Sequence, residues 1–214
     1  MKTTLLNLLI KQDKYVSTFY KQNEIILENR SFFEKIYFII EGSVKITHIT
    51  DTGEEIIPMI LTKGQIFGAD IIYGNFYASF TYKAMNERTI LYEFDIRDVK
   101  KAIGKDIGLY KDLLLLLKEE YTELEKRIKV LSIRSAEQRF IETLMEFWEK
   151  FESSSSDTEN VLIDSPFNQN ELSDYIRTSR VTTNCIINKF RNKSLLRYRN
   201  KRIVIKKGAF DFFE

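Results

Sequence analysis

Histidine and cysteine are almost absent from this chain of 214 residues, which has one of each, His48 and Cys185. One cysteine cannot form an internal disulfide, and it cannot supply the several thiolates of a zinc or iron–sulfur site held within one chain. One histidine excludes a metal pocket built from several imidazoles, and it leaves little for a pair of nucleophile and base. We therefore expect no catalytic residues, no metal ligands and no enzymatic activity.

Long apolar runs are lacking as well. The first residues include Lys2, and the short apolar pieces that follow are interrupted by Lys11, Gln12 and Asp13. A secretory signal needs an unbroken apolar region, and a transmembrane helix needs about 20 mainly apolar residues. We therefore expect an intracellular protein that does not contact a membrane.

The net charge is small, because 33 Lys and Arg against 31 Asp and Glu leave +2. The two ends of the chain nevertheless differ. Residues 165–214 hold eleven Lys or Arg and four acids, a charge of +7 that leaves −5 for residues 1–164. A basic C-terminal part beside an acidic body is typical of a nucleic-acid binder, although a solvated basic surface would have the same charge.

Glycine is scarce outside one region, residues 42–74, which holds five of the eight glycines. There, turn residues alternate with short runs rich in Ile, Phe, Tyr and Val. Short strands with regularly spaced turns indicate an all-β sandwich or barrel, and Thr52-Gly53 fits a hairpin turn. The predicted strands are 36–40, 44–49, 55–60, 65–67, 79–84 and 89–94.

The apolar pattern then changes to a period of 3.5 residues. Spacings of four and three alternate over Tyr110, Leu114, Leu117, Tyr121, Leu124, Ile128 and Leu131. One interpretation is a long helix packed on its own β domain. We favour a seam for self-association, since the strict period is that of a two-stranded coiled coil. The helical pattern continues over 134–151, and the serine run 153–157 predicts an exposed loop.

The basic end has the pattern of a helix-turn-helix. Asn168 and Glu171 fit an N-cap and capping box that open a short helix, and Ser179 fits the cap of a second helix over 180–192. A basic hairpin at 199–202 then suits a phosphate backbone. The residues predicted to contact DNA are Asn168, Gln169, Thr178, Ser179, Arg180, Val181, Asn184, Cys185, Asn188, Lys189, Arg199, Lys201 and Arg202.

Three segments of the chain resemble one known family. Residues 170–182 are similar to the helix-turn-helix of the Crp/Fnr superfamily of dimeric transcription regulators. Residues 34–46 and 52–56 are similar to the β-roll of that superfamily, and Ile66-Phe67-Gly68 resembles a characteristic motif further along the same β-roll. Within the superfamily, the chain looks most like the nitrogen regulators of cyanobacteria and plastids. The resemblance implies an α+β fold with an N-terminal β-roll (1–108), which is a jelly roll of the cyclic-nucleotide-binding kind. A long central dimerisation helix (109–134) and a C-terminal winged helix-turn-helix (135–214) would follow.

The resemblance also implies a function. Homodimers of the superfamily bind palindromic double-stranded DNA with recognition helices one DNA turn apart, and an activator of this kind contacts RNA polymerase. Arg180 matches an arginine that contacts guanine, Cys185 stands where the family has an arginine, and Arg177 replaces a turn glycine. The alternative is a ligand-sensing β-roll protein that signals through protein partners without specific DNA binding. The bias towards Lys, Asn, Ile, Phe and Tyr suits an AT-rich genome, so we expect a plastid stroma (chloroplast) or a bacterial cytoplasm.

The effector implied by the nitrogen regulators is 2-oxoglutarate. By resemblance it would be held by the backbone at Phe67, Gly68, Ala69 and Asp70 and by Glu125. The family's two arginines fall on Ser79 and Glu120, so a dicarboxylate would face Asp70 and Glu120 without the arginine clamp and be repelled.

Other cations, Lys83, Arg88 or Arg127, are available as substitutes, but no spacing selects one of them. Cyclic AMP is not expected, because no Arg-Ser pair lies between Gly74 and Ala84 to hold its phosphate. Two expectations stay open at this point, which are binding of 2-oxoglutarate and a β-roll that dimerises without a ligand.

Overall fold

The computed structural model describes residues 4–74, 76–153 and 159–212. The chain divides into two compact units, Met1–Glu125 and Lys126–Glu214, and the division falls within the longest helix. The helices are α1 (Thr4–Lys11), α2 (Ile96–Ile103), α3 (Ile107–Ser132), α4 (Ala136–Phe151), α5 (Gln169–Tyr175) and α6 (Arg180–Asn192). The strands are β1 (Val16–Tyr20), β2 (Ile25–Leu27), β3 (Lys35–Glu41), β4 (Ser43–Ile49), β5 (Glu55–Thr62), β6 (Ile66–Phe67), β7 (Thr81–Ala84), β8 (Thr89–Asp95), β9 (Asn160–Asp164), β10 (Leu196–Arg199) and β11 (Arg202–Lys206).

The first unit is a β-roll of two antiparallel four-stranded sheets, with the strand orders β1-β8-β3-β6 and β2-β7-β4-β5. Phe38 and Leu91 of the first sheet and Ile46 and Leu61 of the second belong to one buried apolar cluster. The two sheets therefore share a core, as in other β-sandwich folds. Gly53 has a φ of 82° in the turn between β4 and β5, which confirms the predicted hairpin.

The sequence analysis located six of these eight strands and missed β1 and β2. Their side chains do not alternate clearly between apolar and polar, and Val16 and Ile25 are exposed. Pairing with distant strands fixes β1 instead, since the Tyr20 hydroxyl donates to Glu93 of β8 at 2.8 Å. Burial alone would raise the pKa of Glu93, but hydrogen bonds from Lys35 and Tyr20 hold it below its usual value.

Helix α3 has two different faces. Leu109, Leu113 and Leu116 are buried in the core of the first unit. The predicted heptad residues lie on another face, where six of the seven are exposed and Leu117 is half-buried: Tyr110, Leu114, Leu117, Tyr121, Leu124, Ile128 and Leu131. Packing on the chain's own β domain therefore accounts for the first face and leaves the heptad face uncovered.

The second unit contains α4 to α6 and a three-stranded antiparallel sheet in the order β10-β11-β9. Phe140, Phe147, Phe167 and Tyr175 fill its core. Strand β9 was not predicted, because its pairing with β11, which is distant in sequence, fixes it. Of the predicted loop 153–157, only Ser153 belongs to the described residues, and its amide donates to the Leu162 carbonyl at 2.8 Å. The fold is the predicted helix-turn-helix with a β-hairpin wing.

None of the helices in the described ranges has the length and apolarity that a bilayer crossing requires. Within the same ranges, no group of three or more His, Cys, Asp or Glu lies close enough to hold a metal ion.

Candidate DNA interface and effector region

The first helix of the helix-turn-helix begins with the predicted capping box. The Asn168 side chain accepts hydrogen bonds from the amides of Asn170 and Glu171, and the Glu171 carboxylate accepts one from the Asn168 amide at 3.1 Å. These bonds satisfy backbone donors that a helix start leaves without partners. Asn168 and Gln169, two of the residues predicted to contact DNA, are exposed at this end of α5.

The second helix, α6, begins after a tight turn. Arg177, at the position where the resemblance implies a turn glycine, has a φ of 54°, which is left-handed. Ser179 then caps α6 by accepting a hydrogen bond from the Thr182 amide at 3.0 Å. A non-glycine residue in this left-handed conformation costs about 1 kcal/mol of backbone strain.

Helix α6 has one buried and one exposed face. Thr183, Ile186, Ile187 and Phe190 pack inward. All six residues predicted for the outer face are exposed: Arg180, Val181, Asn184, Cys185, Asn188 and Lys189. A helix that buries its apolar face and presents amide, guanidinium and ammonium groups outward is suited to the major groove.

Lys189 is less available for DNA than the other five residues. Its ammonium nitrogen lies 2.6 Å from a carboxylate oxygen of Glu137 on α4. The ion pair is partly open to solvent, so a phosphate can compete with Glu137 for the lysine.

The hairpin after α6 carries the remaining predicted contacts. Asn200 and Lys201 both have positive φ values, 50° and 61°, as a two-residue turn of type I′ requires. Arg199, Lys201 and Arg202 are exposed at its tip. Arg202 lies 3.5 Å from Asp164, but both side chains are largely exposed and the pair is weak.

Two arginines that support this site were missed by the sequence analysis. Arg127 of α3 is 6% exposed, and its guanidinium carbon lies 3.6 Å from the centre of the Tyr175 ring. Arg139 of α4 donates to the carbonyls of Ile176 and Arg177. Arg127 was considered only as a substitute effector ligand, and its contact with Tyr175 contradicts that role. In sequence, both arginines look like ordinary solvated charges on helices.

The predicted effector positions lie at the end of β6. Phe67, Gly68 and Ala69 are buried, and the Phe67 ring stacks on Tyr82 with centres 4.6 Å apart. Asp70 is exposed and lies in the 3₁₀ turn Ala69–Tyr73.

Glu125 is exposed five residues beyond Glu120 on α3, and it accepts a hydrogen bond from the Tyr121 hydroxyl. It is therefore engaged with a residue of the heptad face.

Glu120 of α3 and Asp70, which follows β6, interact electrostatically. Burial raises the pKa of Glu120 to about 7, and the negative charge of Asp70 adds to the rise. Burial also raises the pKa of Tyr82, and the charges of Glu120 and Asp70 contribute. Among the possible substitute cations, Lys83 lies 2.7 Å from Glu55, and Arg88 lies 3.3 Å from Glu41. The local charge near Asp70 is therefore one that disfavours a dicarboxylate.

A β-roll, a long helix and a helix-turn-helix with an exposed polar face define a class, the DNA-binding transcription regulators of the Crp type. Residues 17–106 match the cyclic nucleotide-binding domain family, and residues 138–209 match the Crp-like helix-turn-helix domain family. The two matches together span most of the chain. The chain belongs to the Crp/Fnr family, and it is a DNA-binding transcription factor.

Similar proteins agree with this assignment. The global nitrogen regulator of Nostoc sp. is 23% identical over 94% of this chain and 96% of its own length. The global nitrogen regulator of Synechococcus elongatus is 24% identical over 80% of this chain and 77% of its own length. Among solved structures, FixK2 from Bradyrhizobium japonicum has a TM-score of 0.78 at 16% identity and covers 92% of this chain and 94% of its own.

Proposed function

We propose that this regulator works as a homodimer joined along the heptad face of α3. One observation carries the proposal, which is that apolar and aromatic residues in a strict 3.5-residue period lie exposed on one helix. Tyr121 and Ile128 are 60% and 64% exposed. Pairing two such helices removes this apolar surface from water and produces the knobs-into-holes contacts of a coiled coil.

A two-fold dimer would read a palindromic site. Each α6 would enter one major groove, and the two half-site centres would be about 34–36 Å apart. In this proposal, Arg180 pairs with guanine and the hairpin tip contacts phosphates. Activation would proceed through contact with RNA polymerase.

The names of the curated relatives support a role in nitrogen control. We propose that this control does not need 2-oxoglutarate or cyclic AMP. Asp70 would repel an anion at the family's effector position, and the half-buried Glu120 stands where the family has an arginine and offers no positive charge. The protein would act in a plastid stroma or a bacterial cytoplasm, as a regulator rather than an enzyme.

Sedimentation of the purified chain tests the dimer, and selection from a random duplex library tests the site. We expect a dimer and an enriched palindrome with half-sites separated by one DNA turn. A salt-sensitive but unselective interaction with DNA would contradict the proposal. It would favour the alternative, a ligand-sensing β-roll protein that signals through protein partners.

Calorimetric titration with 2-oxoglutarate and with cyclic AMP tests the effector. We expect no heat of binding and no change in affinity for the selected duplex. A ligand-dependent rise in DNA affinity would overturn ligand independence and leave the dimer and the DNA site unaffected.

A further inference from the structure

Three successive backbone carbonyls, those of Tyr175, Ile176 and Arg177, lie where α5 ends and the turn to α6 begins. Helix α5 ends at Tyr175, and the turn amides of Arg177 and Thr178 donate back to the carbonyls of Asp174 and Ser173. The next carbonyls lie at the C-terminal end of the helix, where the negative end of its dipole is. A cation placed there is stabilised by this dipole.

Two guanidinium groups bind three of these carbonyls in succession. Arg127 donates to the carbonyl of Tyr175. Arg139 donates through Nε to the carbonyl of Ile176 at 2.7 Å and through Nη2 to that of Arg177 at 3.0 Å. The planar fork of arginine suits such paired contacts, and the single ammonium of lysine does not.

Arg139 also binds backbone carbonyls just before α4. Nη1 of Arg139 donates to the carbonyls of Ile133 and Arg134, at 2.6 and 3.0 Å, in the segment between α3 and α4. Arg139 therefore connects the α3–α4 junction directly to the α5–α6 turn.

The second connection runs through Tyr175. Arg127 extends from α3 and covers the Tyr175 ring. The Tyr175 hydroxyl donates to the Glu146 carboxylate of α4 at 2.9 Å, and Glu146 also pairs with Lys150. The residue that ends α5 is thus held by α3 on one side and by α4 on the other.

We propose that Arg127 and Arg139 are positioning residues for DNA reading. They hold the α5–α6 turn against the end of α3, and the turn determines the direction of α6. In a dimer joined along α3, they consequently set the distance between the two recognition helices. This last step rests on the proposed homodimer, whereas the orientation of α6 within one chain does not.

A distance measurement within one protomer tests the orientation. Cys185 is the only cysteine and is exposed on α6, so one spin label can be attached there. The substitution Lys129→Cys provides the second attachment site, at an exposed position on α3. Labelled chain is diluted with unlabelled Cys185→Ser chain, so that pulsed electron resonance reports the intra-chain distance. We expect one narrow distribution in the parent and in the control Arg134→Lys, a lysine substitution at an exposed arginine.

Arg139→Lys and Arg127→Lys should broaden or shift that distribution while circular dichroism stays that of the parent. A residue that only stabilises the fold would lower the melting temperature and leave the distance unchanged, which would overturn the proposal. Arg139 is only half-buried, so Arg139→Lys keeps the test decisive if Arg127→Lys does not fold.

Affinity for two duplexes tests the consequence for DNA. The first is the palindrome selected by the parent, and the second carries one half-site only. We expect Arg139→Lys to lose about tenfold or more on the palindrome, because misplaced helices cannot engage both half-sites, and to stay within about twofold on the half-site. An equal loss on both duplexes would contradict positioning. Absence of a dimer would contradict the proposed function, and the intra-chain distance would still decide the role of the arginines.

Discussion

The DNA-binding region and the effector region of this chain differ in where their charges lie. Around α6, the arginines, lysines and amides face solvent over a buried apolar face, as an anionic partner requires. At the end of β6, Glu120 is held half-buried near Asp70, and burial and repulsion raise its pKa. The charges around α6 suit an anionic partner, whereas those near Asp70 disfavour an anion. Two regions of one chain can therefore differ in the sign of the partner that their charges favour.

The largest effect is expected from a substitution on the heptad face of α3, where the proposed dimer is joined. If DNA reading depends on the helix pair and not on a ligand, Leu124→Glu should separate the protomers, because it places charges opposite each other in an apolar seam. The affinity for the palindrome should fall about 10²–10⁴-fold with the loss of the second half-site. Sedimentation and competition binding measure the two effects.

The matched control is Lys118→Gln, which changes the net charge by the same amount off the heptad positions. It should leave the dimer intact. Full palindrome affinity in a monomeric Leu124→Glu would contradict the dimer model.

The next largest effect concerns the reading face of α6. Arg180→Ala should weaken specific binding by about 1–3 kcal/mol and relax the preference at one base pair. Arg191→Ala is the matched control, because Arg191 is exposed on α6 but lies outside the predicted contacts. Competition between cognate and random duplexes measures both variants. An equal loss on the two duplexes would show that Arg180 contacts phosphate only.

A third test addresses the effector region alone. In the folded chain the pKa of Glu120 is raised from its usual 4.5 to about 7, so the carboxyl stays protonated over a wider pH range. Below pH 4.5 the raised pKa costs the folded state nothing. As the pH rises from 4.5 to about 7, the free energy of unfolding falls, because the unfolded chain releases the proton more readily. Glu120→Gln should therefore match the parent at pH 4 and be more stable at pH 8 by about 1–2 kcal/mol, discounted for partial exposure.

Thermal unfolding at the two pH values measures the difference, with Glu119→Gln on the same helix turn as the control. DNA affinity per folded chain should not change in either variant. A Glu120→Gln protein no more stable than the parent at pH 8 would contradict the raised pKa of the Glu120 carboxyl, which burial and the charge of Asp70 produce together.

The smallest effect is at the turn of the DNA-binding region. Arg177→Gly should stabilise the protein by up to about 1 kcal/mol, because glycine adopts the left-handed conformation without steric cost. Arg177→Ala removes the same side chain and keeps the strain, so it should give no such gain. Melting temperatures of the three proteins provide the comparison.

Local patterns made most of the fold predictable. The capping box at Asn168, the cap at Ser179 and the heptads of α3 each depend on residues a few positions apart. Strands β1, β2 and β9 were missed because distant partners fix them. Arg127 and Arg139 were missed for the same reason, since the carbonyls they bind are 48 and 37 or 38 residues away in sequence.

Gly68 has a consequence for how chains of this family are classified from sequence. Its φ is 78°, and a Cβ there would lie 3.0 Å from the Lys35 carbonyl oxygen and 3.1 Å from the Phe33 ring. A larger residue would crowd both groups and would be strained at this positive φ, whether or not a ligand binds nearby. The β-roll alone is therefore reason enough for a glycine after Phe67, and the pair by itself does not identify a ligand.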